Sequence, residues 1–227
     1  MNVAIIAAAG QGSRMGGKRA KQFLELAGRP IIIHTIQAFE ACEAIQEIIV
    51  VLPPADVRGF SAFARPYNLG KVRAVVPGGV TRASSVLHGL QALERQDKDI
   101  VAVHDGSRPL VTTAEITRTV QAAEVSGAAI LAAPIVDTVK EVRDGVVTAT
   151  VPRNDLRRAL TPQCFRYEIL RQAYEQVDEL DATLTDESSL VERLGMPVTV
   201  IEGSSRNIKV TQPEDLVVAE ALLIRGL

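Results

Sequence analysis

Tryptophan is absent from this chain, and aromatic residues make up only 4% of it. Single-stranded nucleic acid is commonly gripped by stacking bases on aromatic faces, so this composition gives that class of binder no support. The charge balance points the same way. Lys and Arg number 25 against 27 Asp and Glu, a net charge of −2 without the basic excess of a nucleic-acid surface. No apolar run reaches the ~18 residues needed to cross a bilayer. The first apolar segment opens at Val3, which leaves no room before it for a secretion or transit signal. Only two cysteines occur, Cys42 and Cys164, without metal-ligand spacing, and both are expected as buried thiols in a reducing cytoplasm. Histidine is also scarce, at three residues, and no Ser–His–Asp grouping is apparent. His34 and His88 fall within helical runs and read as structural, and His104 is a weak candidate for catalysis.

What the chain has in quantity is apolar sequence, 47% of its 227 residues, enough for the core of one domain. Apolar strands are predicted at 3–8, 47–52, 72–76, 100–104, 128–134 and 198–202. Helical periodicity occupies 31–41, 83–94, 114–125, 167–177 and 187–194. A further helix starts after Thr211, where Thr211 and Glu214 suggest a capping box, Pro213 an early helical position, and Asp215 first-turn charge. This alternation predicts an α/β fold, a Rossmann-like, mostly parallel sheet flanked by helices. One segment, 135–154, departs from it by alternating with period 2 around Asp144-Gly145, a hairpin signal. A lone hairpin buries too little to stand by itself, so it is expected to project and to pack on a second chain.

The stretch "AAAGQGSRMGGKRAKQF" follows the first strand with Gly10, Gly12, Gly16 and Gly17 and the cations Arg14, Lys18, Arg19 and Lys21. It nearly fits a P-loop, with Gly12, Gly17 and Lys18 in place, but Arg19 stands where a magnesium-binding Ser or Thr belongs. A dinucleotide fingerprint fails too, because its third glycine falls on Met15 and the second strand ends in prolines instead of an acid. What remains is a backbone-amide loop suited to a polyanion such as a triphosphate, or else a solvated basic turn. Ligands of open α/β sheets bind beyond the carboxyl ends of the strands. At those ends stand this loop, "PGGVTRASSV", "HDGSRP", and Asp137, Thr138 and Lys140, with "TLTDESS" and "RNIKVT" near the C-terminus. Asp105 ends an apolar strand, where a carboxylate is costly unless paired or metal-bound, so it reads as a magnesium ligand or as a partner of Arg108.

Taken together, "AAAGQGSRM…KQF", "PGGVTRASSV", "VHDGSRP", "AAPIVDTVK", "RALTPQ", "TDESS" and "NIKVTQPEDL" resemble the 2-C-methyl-D-erythritol 4-phosphate cytidylyltransferases of the non-mevalonate isoprenoid pathway, over residues 3 to about 224. Two small departures show: Ala20 stands where the family usually has Pro, and Gly106-Ser107 where it has two alanines, replacements expected to loosen turns. The resemblance implies one nucleotidyltransferase domain over 1–227, with 135–154 as an inserted dimerisation arm. It implies CTP and a polyol phosphate as substrates, Mg²⁺ or another divalent ion as cofactor, a cytoplasmic homodimer, and neither nucleic acid nor membrane as partner. By the same resemblance, Arg14, Lys21 and Lys209 are catalytic. Ala9, Gly10, Gly12, Gly78, Gly79 and Ser85 bind CTP. Asp105, Thr161, Thr185 and Lys209 hold the acceptor, with Thr138 and Arg153 joining from the neighbouring subunit, and Asp105 also serves the metal. A ribitol 5-phosphate cytidylyltransferase, a guanylyl- or uridylyltransferase and a silent nucleotide-binding regulator are the alternatives.

Overall fold

The computed structural model describes residues 1–10, 20–93, 99–176 and 186–224. Seven strands form its main sheet: β1 (Val3–Ala7), β4 (Glu47–Leu52), β5 (Val72–Pro77), β6 (Ile100–Asp105), β7 (Ala128–Pro134), β10 (Arg157–Arg166) and β11 (Thr199–Glu202). Their order across the sheet is β11-β7-β10-β6-β1-β4-β5. β10 runs antiparallel to both its neighbours, and the other pairings are parallel. β2 (Glu25–Leu26) and β3 (Arg29–Pro30) make a small ribbon of their own.

The central strands are near-continuous runs of Val, Ile and Ala because both faces of the sheet are covered. On one face Ala4 and Ile6 meet α1 (Ile31–Glu40), Phe60 of α2 (Pro54–Ala64) and α4 (Thr113–Ser126). On the other, Val3 and Ile5 meet α3 (Arg82–Gln91), α5 (Tyr167–Glu175) and α6 (Glu187–Arg193). The last helix, α7 (Pro213–Ile224), packs near Leu26, Ile31 and Val210. Its start differs from the expected box: Asp215, not Glu214, accepts from the Thr211 amide and hydroxyl and from the Gln212 amide.

Besides the small β2–β3 ribbon, one helix and one strand of the main layers escaped the sequence reading. Pro53 and Pro54 read as the end of a strand, yet Pro54 opens α2, where a missing N–H costs nothing. Phe60 is its one buried residue, with Val57, Phe63 and Ala64 partly buried against the same core. β10 carries Pro162, which argues against a central strand. The register slips between Ala159 and Gln163, and this irregularity accommodates the proline.

The period-2 segment forms the expected hairpin, β8 (Val139–Arg143) paired with β9 (Val146–Val151). Asp144 (φ 48°) and Gly145 (φ 79°) make its turn, with positive φ at both positions. It stays separate from the main sheet, and Val136, Val142, Val146 and Val147 are exposed. Among the described residues no helix is long and apolar enough to cross a membrane.

Candidate active site

Chain order reverses direction at β1, which pairs with β4 on one side and β6 on the other. Such a switch point leaves a crevice beyond the strand ends. Here it is a cleft of about 670 Å³, lined by Ala9 and Gly10 after β1, Gly78 and Gly79 after β5, Arg82 and Ser85 of α3, Asp105 of β6, and Lys21 and Lys209.

The glycines after β5 exist for close approach. A Cβ on Gly78 would lie 2.1 Å from the Ala9 Cβ, and one on Gly79 would lie 2.2 Å from the Ser84 hydroxyl. The Gly79 amide donates to the Ser85 hydroxyl at 3.1 Å, and that hydroxyl donates to the Thr81 carbonyl at 2.8 Å. Thr81 and Ser84 cap α3 reciprocally, so the helix N-terminus faces the cleft on a fixed base.

Asp105 is the electrostatic centre. Its Oδ1 accepts from Arg82 Nε at 3.2 Å, and its Oδ2 accepts from Arg108 Nε at 3.2 Å and Lys209 Nζ at 2.9 Å. Burial alone would raise its pKa, but Arg82, Lys209 and Arg108 together hold the carboxyl far below the usual range. The Arg108 partnership weighed from sequence is therefore present, as one of three. Lys209 reaches Asp105 because its segment is pinned. The Val210 amide donates to the Ser107 carbonyl at 2.8 Å, Arg108 Nη1 to the Asn207 carbonyl at 2.8 Å, and Asn207 Nδ2 to the Thr161 carbonyl at 2.9 Å. Lys21, at the start of a 3₁₀ turn (Lys21–Phe23), donates to the Val210 carbonyl at 3.1 Å, which ties it to the same segment.

Beneath the carboxylate lies a chain of hydrogen bonds. The Arg108 carbonyl can only accept, so His104 Nε2 carries the proton and donates to it at 3.1 Å. His104 Nδ1 then accepts from the Thr161 hydroxyl at 2.9 Å, and the Thr161 oxygen accepts from the Asp105 amide at 3.2 Å. Burial pushes the His104 pKa down to about 4, so the ring is neutral. Thr161, expected to contact the acceptor, is instead buried under the floor of the cleft with its hydroxyl engaged on both sides.

Arg82 extends the network away from the cleft, since its Nη1 donates to Glu187 Oε1 at 2.7 Å. Burial works against its charge, but Glu187 and Asp105 outweigh this and hold its pKa above the ordinary value. Three cations, Arg82, Arg108 and Lys209, thus stand against two carboxylates, which leaves one positive charge before Lys21 is counted. The role of Glu187 had no signal in the sequence beyond its place in "TDESS".

The two departures from the family pattern have physical explanations. Ala20 has φ −60° and ψ 136°, the conformation a proline ring would fix. Gly106 is a tight fit, contrary to the expected loosening. A Cβ there would lie 2.6 Å from the Ala8 Cβ, while the Gly106 amide donates to the Ala7 carbonyl at 2.8 Å. Of the other expected site residues, Thr138 and Arg153 belong to the hairpin segment and do not line the cleft of their own chain. Arg153 donates to the Val136 carbonyl. Gly12, Arg14 and Thr185 lie outside the described residues.

A family model described as 2-C-methyl-D-erythritol 4-phosphate cytidylyltransferase (IspD) matches residues 2–225. The chain is similar to proteins of that name from Pelotomaculum thermopropionicum, 46% identical over 97% of this chain and 93% of the relative, and from Desulforamulus reducens, 47% identical over 98% and 96%. Among solved structures, the Francisella tularensis 2-C-methyl-D-erythritol 4-phosphate cytidylyltransferase superposes with a TM-score of 0.81 at 33% identity, covering 97% of this chain and 98% of that one.

Proposed function

The chain belongs to the 2-C-methyl-D-erythritol 4-phosphate cytidylyltransferase family, and from that premise we infer that it transfers CMP from CTP to 2-C-methyl-D-erythritol 4-phosphate. The products are the 4-diphosphocytidyl alcohol and pyrophosphate. The observation that carries the reading at the level of chemistry is the Asp105 cluster, which gathers Arg82, Arg108 and Lys209 at one edge of a cleft that Lys21 also lines. An acceptor phosphate oxygen attacks the α-phosphorus in line, a new P–O bond forms, and the bond to the β-phosphate oxygen breaks. The nucleophile is already an anion and needs no general base. Accordingly, no histidine is among the residues lining the cleft, and His104 beneath it is neutral with both ring nitrogens engaged. The work left is to position the phosphates and to stabilise the charge that builds on their oxygens.

By the family resemblance, Lys21 and Arg14 serve the α-phosphate, with Lys209 shared between the two substrates. Ala9, Gly10, Gly12, Gly78, Gly79 and Ser85 receive the nucleotide, where bare backbone permits close approach. Thr185 and Asp105 serve the acceptor, and Thr161 supports it from below. Asp105 is the one carboxylate among the described residues lining the cleft, and the described residues contain no cluster of three potential metal ligands. That donor set fits a magnesium ion carried mainly by the triphosphate and water, with Asp105 as the protein's contact. When bound, such an ion would neutralise charge on the triphosphate.

We propose further that the chain acts as one cytoplasmic domain over 1–227, with 135–154 as an arm that closes a two-fold dimer. The exposed valines of the hairpin, Val136 at 75% and Val146 at 66%, favour burial against a second copy. Thr138 and Arg153 would then reach the partner's acceptor site. The test of the reaction is pyrophosphate release with CTP, UTP, GTP and ATP against both polyol phosphates. Methylerythritol phosphate with CTP is expected to be fastest, and equal or faster turnover with ribitol 5-phosphate would replace the acceptor.

A further inference from the structure

Glu187 stands behind the cleft, not in it. It is the first residue of α6 and only 1% exposed. Its Oε1 accepts from Arg82 Nη1 at 2.7 Å and from the Tyr174 hydroxyl at 3.2 Å, while Oε2 has no partner among the described residues. Its backbone is fixed as firmly. Gln163 of β10 accepts the amides of Glu187 and Ser188 through one carbonyl oxygen, both at 3.1 Å, and Asp186 caps the helix at the Ser189 amide. A buried carboxylate held this rigidly, with its bonding gathered at one oxygen, constrains whatever it binds. Here that is a guanidinium in the wall of the cleft.

Arg82 has a second anion to choose. A guanidinium presents five donors in a fork that matches phosphate oxygens bidentately. Beside a bound triphosphate, an untethered Arg82 would turn to it and leave Asp105. We propose that Glu187, steadied by Tyr174, is a positioning residue for the transfer. It retains Arg82 against the pull of the triphosphate, so that Arg82 Nε stays on Asp105 and Asp105 keeps the orientation the acceptor meets. The inference rests on the reaction argued above and adds to it a residue that touches neither substrate.

The consequence is a split between binding and turnover. In Glu187→Gln, Arg82 loses its anchoring charge and the cleft becomes more positive, so CTP is held at least as well while kcat falls. We expect a kcat loss of about tenfold, with the KM for CTP no higher than in the wild type. A merely structural lesion would loosen the α3 end of the cleft and raise that KM as kcat fell. In an Arg82→Met background, Glu187→Gln should cost less than about a further twofold, because its route to the site is already gone. Kinetics of the single and double variants with CTP and methylerythritol phosphate test this. A kcat for Glu187→Gln within about twofold of wild type, a raised KM for CTP, or losses that multiply in the double variant each overturn it. If Glu187→Gln fails to fold, Tyr174→Phe takes its place. It removes only the hydroxyl, with an expected kcat loss of about threefold that disappears without Arg82. An unchanged kcat in Tyr174→Phe would then overturn the proposal. A wild-type protein that releases no pyrophosphate refutes the reaction, whereas an active wild type matched by these variants refutes the positioning alone.

Discussion

Replacing Asp105 with Asn keeps the shape at the end of β6 and removes the charge that three cations share. Breaking a buried ion pair costs ~3–5 kcal/mol, chiefly because the charges left behind are desolvated and unpaired. Here the partners have other recourse. Arg82 keeps Glu187 at 2.7 Å, Arg108 keeps the Asn207 carbonyl at 2.8 Å, and Lys209, 36% exposed, can turn to water. The lower end, about 3 kcal/mol, is therefore expected, and a domain of ~5–15 kcal/mol total stability remains folded after it. Urea denaturation in EDTA measures the loss. The decisive arm adds pyrophosphate, still without metal. In the variant the cations lack their counter-ion, so the anion should bind about tenfold more tightly and return ~1.4 kcal/mol more stability than it gives the wild type. With Mg²⁺ and both substrates, turnover should nevertheless fall, and extra Mg²⁺ should restore only part of it. Equal stabilisation of both proteins by pyrophosphate would refute the claim that Asp105 is what occupies these cations. An unchanged Mg²⁺ titration would remove Asp105 from the metal.

Lys21→Ala and Arg14→Ala should each lower kcat by about 10²-fold or more with little change in urea midpoint, and a variant keeping more than about a tenth of wild-type kcat would lose its assigned role. His104 predicts a pH signature. Its folded pKa, about 4, lies below the ordinary 6.5, so the unfolded chain takes up a proton that the folded one refuses. The His104 contribution is complete above pH 6.5 and declines, by something on the order of 3 kcal/mol, as pH falls to 4. The Asp105 pKa is lowered as well, but from a carboxyl value that already lies below this window, so its contribution persists through it and is lost only as pH falls further. Urea midpoints between pH 4.5 and 7 should flatten in His104→Gln, and an unaltered slope would contradict the buried neutral ring. Arg153→Ala and Lys21→Ala homodimers should both be nearly inactive, yet refolded together they should recover about a quarter of the sites, because a hybrid gathers both lesions in one site and leaves the other intact. A monomer by light scattering would end the arm's assignment.

The strands whose side chains are apolar on both faces were legible because parallel sheets buried on both sides leave continuous Val and Ile runs. β10 was not, since Pro162 and the exposed Arg157 and Arg158 at its start disguise the strand, and the slipped register accommodates the proline. The site divides along a similar line. Gly78, Gly79, Lys21 and Asp105 stand at strand or turn ends where topology brings them into one cleft. The resemblance named Thr161, but its partners, and Glu187 altogether, were beyond reach. Thr161 meets the Asp105 amide across 56 residues of chain, and Glu187 meets Arg82 across 105. No local pattern encodes which distant partner a hydroxyl or carboxylate will face.

The late place of β10 in the chain has a further consequence during synthesis. β1, β4, β5 and β6 have all left the ribosome once Asp105 emerges, and they can pair among themselves. The outer edge of β6, with Ile100, Val101 and Val103, then waits for β10, which is complete only at Arg166. At ~5–20 residues per second, those roughly 60 residues occupy about 3–12 s. For that interval the nascent chain offers an unpaired apolar edge in the middle of its future sheet, the kind of edge to which another chain can add. The strand that closes the middle of the sheet is also the one for which the half-made protein must wait.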